Sequence, residues 1–100
     1  MWSQTSLDIV LERDVERYLI KRVKDVGGRA YKFTSPAHRG VADRIVCLPR
    51  GVVVMVEVKT IGGRLSPLQK VFADEMQRLG VAYECLWSKE QVDEFIARVS

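Results

Sequence analysis

From Ser6 to Val26 the apolar residues Leu11, Val15, Tyr18, Leu19, Val23 and Val26 recur every three or four positions, the spacing of one buried helical face. Thr5 or Ser6 is placed to cap this helix, Asp8 and Glu12 lie in its first turns, and Lys21, Arg22 and Lys24 lie near its end. That charge order matches the helix dipole, and Gly27-Gly28 supplies the stop. The pattern then changes period. Residues 29–34 alternate as a short strand, and Ser35-Pro36-Ala37-His38-Arg39-Gly40 reads as an exposed loop. Residues 41–48 and 52–59 are β-branched runs joined by Pro49-Arg50-Gly51, which predicts a hairpin with Gly51 at a position needing positive φ.

After a Gly-rich connector at 60–65, Ser66-Pro67 reads as a cap and first helical residue. The helix they open runs to Leu79, with Leu68, Val71, Phe72, Met76 and Leu79 as its apolar stripe and Gly80 as its stop. Residues 81–87 read as a strand. Ser88-Lys89-Glu90-Gln91 has capping-box spacing and opens a last helix with Val92, Phe95, Ile96 and Val99 inward. The predicted order is αβββαβα. A helix between two strands is a crossover, so the last strand is expected parallel to residues 52–59. The fold class is α/β, a mixed sheet flanked by helices.

With 100 residues, 47% of them hydrophobic and 29% charged, the chain is expected to form a single domain over 1–100 around one modest core. No run approaches the 18 apolar residues of a membrane span, and Met-Trp-Ser-Gln lacks the basic-then-apolar order of a signal peptide. A cytoplasmic protein is therefore expected. Cys47 and Cys85 lie in apolar runs without ligand spacing and read as free thiols. Trp2 and Trp87 lack interleaved bases and read as tail packing and as core or interface burial.

The net charge of +3 is unevenly spread. Residues 1–26 are neutral, residues 27–70 carry +6, and residues 71–100 carry −3. A basic middle segment suits a polyanion. Its only acids are Asp43 and Glu57. A three-residue turn at 49–51 sets the two opposite each other across the hairpin, where like charges destabilise unless a cation or proton intervenes. Alternation puts Lys59 on the same face as Glu57, with Val54, Val56 and Val58 on the other. Oxygen-only ligands suit Mg2+ or Mn2+, and a hard ion beside a lysine is the chemistry of phosphodiester hydrolysis. Lys32, Ser35, Arg39, Arg44, Arg64 and Lys70 surround this cluster in sequence and are candidate DNA-binding residues. His38 reads as a loop residue.

The order Glu16, Gly27-Gly28, Lys32, Gly40-Val41-Ala42-Asp43-Arg44, Glu57-Val58-Lys59, Gly62-Gly63-Arg64-Leu65-Ser66-Pro67-Leu68-Gln69 and Gly80 resembles the stand-alone VRR-Nuc domain. That domain is a branch of the PD-(D/E)xK nuclease superfamily. The resemblance runs from about Leu11 to Phe95. It implies a restriction-endonuclease-like αβββαβ core with an added C-terminal helix. It further implies a metal held by Asp43, Glu57 and the Val58 carbonyl, with Lys59 as catalytic lysine. Glu16 resembles the family's additional helix carboxylate, also seen in archaeal Holliday-junction resolvases, and is preferred to Glu12. Gln69 resembles the polar residue that contacts water or phosphate. The family's Pro-Asp is Ala42-Asp43 here, a change that touches no catalytic group.

A sheet this small with no appended reading element favours recognition of DNA structure over sequence. Stand-alone members of the family resemble phage homodimeric Holliday-junction resolvases used in recombination and repair. The expected protein is a Mg2+- or Mn2+-dependent endonuclease acting on branched DNA as a homodimer, with no nucleotide cofactor and no membrane partner. A flap- or nick-directed nuclease and a non-catalytic DNA-binding module are the alternatives.

Overall fold

The computed structural model describes residues 4–100, with side chains from Glu12 onward. Trp2 and the side chains of Thr5, Ser6, Asp8 and Leu11 lie outside the described residues. The element order is α1 (Gln4–Asp25), β1 (Arg29–Lys32), β2 (Arg44–Leu48), β3 (Val52–Val58), α2 (Pro67–Arg78), β4 (Ala82–Leu86) and α3 (Lys89–Val99). The sheet order is β1-β2-β3-β4, antiparallel except for the β3–β4 pair. This is the αβββαβα order with a mixed sheet that the sequence predicts. No described helix is long and apolar enough to cross a membrane.

The hairpin turn at 49–51 is a single 3-10 turn in which Arg50 (φ 68°) and Gly51 (φ 76°) both take positive φ. Gly51 adopts this conformation freely, whereas Arg50 is strained in it, a feature that β-propensity does not reveal. The turn fixes the register: Leu48 pairs with Val52, Val46 with Val54 and Arg44 with Val56.

The core occupies one face of the sheet. Val15, Leu19 and Val23 of α1, Val92, Phe95 and Ile96 of α3, and Val46, Leu48, Val54, Val56, Val58 and Leu86 from the strands are all buried. Each such side chain stabilises the fold by about 1.5–3 kcal/mol relative to exposure. Asp93 on α3 ties the two helices together, accepting from Tyr18 Oη at 2.7 Å and Arg22 Nε at 3.1 Å.

The opposite face carries α2 alone, and here the expected inward stripe is only partly inward. Phe72 sits between Phe33 and Tyr83, with centroids 6.3 and 6.1 Å away, and Ala73 is buried. Leu68, Val71 and Leu79 are 50%, 63% and 55% exposed. One 12-residue helix cannot turn so wide a stripe entirely onto the sheet. Its N-terminus is instead fixed by close contact with the loop before β2. A β-carbon on Gly40, at φ 84°, would lie 2.5 Å from the Leu68 carbonyl.

Candidate active site

Continuing the hairpin register one step beyond Arg44 and Val56 sets Asp43 across from Glu57. Asp43 lies just before β2. Its carbonyl accepts the Phe33 N–H at 2.9 Å, and its Oδ2 accepts the Val58 N–H at 2.9 Å. The carboxylate thus completes the hydrogen bonding of β3 where β2 has ended. Glu57 points from β3 to the α2 face and is only 2% exposed, the one buried charged residue in the described chain. Lys59 follows β3, donates its N–H to the Leu86 carbonyl at 2.9 Å, and holds Nζ 3.9 Å from Glu57 Oε2.

Gln69 reaches this cluster from α2. Its Nε2 donates to Glu57 Oε2 at 3.2 Å while its Oε1 accepts the Ser66 N–H at 2.8 Å, and its own N–H donates to Ser66 Oγ. These last two bonds are a complete capping box, so the cap of α2 orients the amide that faces Glu57. The Ser-x-x-Gln spacing at 66–69 was the available signal. At α3 the box is half formed: Ser88 Oγ accepts from Gln91 N–H, but Gln91 Oε1 takes the Trp87 N–H instead of closing on Ser88.

Glu57 holds its proton far above the usual carboxylate range, up to about 8. Burial is the largest cause, followed by the nearby Asp43 carboxylate, whose charge and hydrogen-bonding capacity both favour the protonated form. Lys59 opposes the shift and Glu12 adds to it. Glu57 Oε1 is buried without a hydrogen-bond partner. The neighbouring Cys85 thiol is pushed up to about 12, first by burial and then by Glu57, and stays protonated. No group of three or more His, Cys, Asp or Glu side chains converges among the described residues. The acids at the strand ends are a pair. Two carboxylates, one of them with an unpartnered buried oxygen, fit a hard divalent ion that completes its shell with water and phosphate oxygens.

The remaining predicted residues divide. Arg44 adjoins Asp43 in sequence but alternation turns it to the α1 face. There its Nε meets Glu16 Oε2 at 3.0 Å and its Nη1 donates to the Ala30 carbonyl. Glu16 and Arg44, expected at the metal and at phosphate, are therefore engaged with each other. Glu12, one turn earlier on α1, is the helix carboxylate whose charge is felt at Glu57. Glu16, preferred to Glu12 from the sequence, is paired with Arg44 in the structure. Arg64 and Lys70 are exposed on the connector and α2, and Lys32 is exposed at the end of β1. Ser35 accepts the His38 N–H in a turn, and Arg39 with His38 lines a groove against Leu68, Val71 and Phe72 of α2.

No family sequence model matches the chain. Over 61 residues it is 44% identical to Putative nuclease p44 of Acyrthosiphon pisum secondary endosymbiont phage 1, a match covering 61% of this chain and 66% of that protein. The chain thus spans just under two thirds of that relative's length. A solved structure of a VRR_NUC domain superimposes with a TM-score of 0.84 at 30% identity, covering 89% of this chain and 97% of the other.

Proposed function

Since the chain belongs to the VRR-Nuc family, we propose that it is a Mg2+- or Mn2+-dependent endonuclease that hydrolyses phosphodiester bonds in branched DNA, with the four-way junction as substrate and a homodimer as the working form. The observation that carries this reading is the buried Glu57, its Oε1 unpartnered, beside Asp43 and Lys59. Asp43 and Glu57 would hold the ion, with the Val58 carbonyl as the third donor that the family resemblance implies. When bound, the ion supplies positive charge to the phosphate and makes water a stronger acid.

The chain's own groups do the rest. Lys59, held near Glu57 Oε2, presents an ammonium to the negative charge that grows on the phosphate. Gln69 fixes the plane of the Glu57 carboxylate, and the Val58 N–H fixes that of Asp43. Glu12 contributes a further negative charge on the α1 side, and Arg64 and Lys70 neutralise flanking phosphates.

The homodimer is supported by the distribution of exposed apolar side chains. Tyr31 and Val53 point from the sheet to the α2 side, joining Leu68 and Val71 of α2 and Leu79 just after it. Among the described residues only Ile61 is a large exposed apolar side chain elsewhere. The last helix, by contrast, turns Val92, Phe95 and Ile96 into the core and has no such stripe to offer. Two sites related by a two-fold axis suit the two opposed strands of a symmetric junction.

The test is cleavage of labelled four-way junction, flap and linear duplex in Mg2+ or Mn2+. Symmetric cuts in the junction at lower enzyme than the flap or duplex requires support the reading. Preferred cutting of the flap replaces the substrate, and binding without cleavage of any of the three removes the enzyme.

A further inference from the structure

A pocket of about 290 Å3 opens beside the candidate active site, lined by Asp14 and Val15 of α1, Ile61 of the connector, and Trp87, Ser88, Lys89 and Glu90 at the start of α3. It is at the small end of ligand sites. A short stretch of chain and a backbone hydrogen bond place it next to the chemistry. Ile61 is two residues after Lys59, and Trp87 follows Leu86, whose carbonyl accepts the Lys59 N–H.

The lining has two characters. Trp87 and Ile61 are large apolar groups, and Ile61 is 67% exposed with no role in the core. The Trp87 indole is held in place, its Nε1 donating to the Gly63 carbonyl at 2.8 Å and its backbone N–H to Gln91 Oε1 at 2.7 Å. Its polar edge is therefore satisfied within the chain, and an anchored ring loses little freedom on stacking. Asp14 and Glu90 are hydrogen-bond acceptors that accept from amino groups, and the one cation of the lining, Lys89, sets its Nζ over the Tyr18 ring, 5.6 Å from the centroid. The exposed cation on the same connector, Arg64, suits phosphate instead. An aromatic ring with amino donors on its edge, whose phosphate stays outside, meets all of these demands.

We propose that this pocket receives one nucleobase turned out of the helical stack at the branch point, adjoining the phosphate that is cut, stacked on Trp87 and Ile61 with its amino edge toward Asp14 and Glu90. The proposal rests on the reading of the chain as a nuclease and refines its substrate. Continuous duplex yields such a base only by breaking stacking on both sides, whereas at a branch point or flap base stacking is already interrupted on one side and the base turns out at lower cost. The two acceptors favour adenine, cytosine or guanine over thymine.

The experiment uses a branched DNA whose cut site has been mapped, with each nucleotide flanking that site replaced in turn by an abasic residue. Binding is read by anisotropy in Ca2+ and cleavage in Mg2+. At one position, loss of the base is expected to weaken binding or raise KM roughly 5- to 150-fold, the range of one base–aromatic stack, and thymine there is expected to be the poorest base. Trp87→Leu should bring the ratio between base-bearing and abasic DNA toward one. Because Trp87→Leu also removes the bond to Gly63, Ile61→Ser at an exposed position serves as the second variant and should reduce the same ratio. Wild-type protein that binds and cuts abasic and base-bearing DNA equally at every position overturns the pocket while leaving the nuclease reading intact. Wild-type protein that neither binds nor cuts any of these DNAs overturns the nuclease reading itself.

Discussion

Gln69 joins the cap of a helix to the buried carboxylate of the candidate site: Nε2 donates to Glu57 Oε2 at 3.2 Å while Oε1 accepts the Ser66 N–H at 2.8 Å. Two substitutions separate these roles. Gln69→Ala removes both bonds and is expected to cost about 1 kcal/mol of stability, a fall in Tm of roughly 4–8 °C for a domain of this size. Gln69→Glu preserves the capping geometry but sets a third carboxylate against Glu57. Its thermal melt in excess Mg2+ should stay near wild type while DNA cleavage falls at least about 10-fold, which calorimetry and a gel assay read separately.

Glu57 gives the metal-free protein a pH dependence of definite sign. Its ordinary value of 4.5 is raised to about 8 by burial and by Asp43. Between those values the folded chain keeps a proton that the unfolded chain releases, so stability falls as pH rises through this window and is flat on either side. Urea melts in EDTA across this range are expected to show a loss of a few kcal/mol in wild type that Glu57→Gln largely abolishes. Added Mn2+ should restore stability to wild type at pH 8 and do little for the variant.

The two acids of α1 are expected to behave differently. Glu16→Gln breaks the 3.0 Å pair with Arg44, whose side chain is 17% exposed, and is expected to lower stability by about 1 kcal/mol. Its kcat should change less than about 3-fold on the scale of single charge effects away from a reaction centre. Glu12→Gln should leave the melt nearly unchanged and alter the metal concentration needed for half-maximal cleavage. Metal titrations of both variants check this.

Leu68 and Val71 are 50% and 63% exposed on α2, so charges are accommodated there without unfolding the chain. The double variant Leu68→Arg, Val71→Glu is expected to melt within a few degrees of wild type and to run as a monomer by light scattering at micromolar concentration, where wild type is expected to run as a dimer. A wild-type monomer at that concentration rejects the two-fold assembly.

Much of the fold was legible because one face of the sheet is well patterned. The period of Val15, Leu19 and Val23 and the alternation of Val54, Val56 and Val58 predict the buried faces found, and the 49–51 turn predicts the register opposing Asp43 and Glu57. The α2 face was harder. Leu68, Val71 and Leu79 carry the same helical period whether they meet a sheet or another molecule, so periodicity alone could not show them exposed. The partner of Glu16 was hidden for a different reason. Arg44 and Asp43 are neighbours in sequence yet lie on opposite faces, and only the placement of α1 shows which face holds Glu16.

The most direct test of a catalytic centre built on Asp43, Glu57 and Lys59 is single-turnover cleavage of a labelled four-way junction by Lys59→Ala in saturating Mn2+, with binding measured in parallel in Ca2+. The expected result is a rate at least about 100-fold below wild type, the scale of losing one charge-stabilising group in a reaction centre, at a Kd within a few-fold of wild type. Lys59→Ala that cuts the junction at the wild-type rate contradicts that centre.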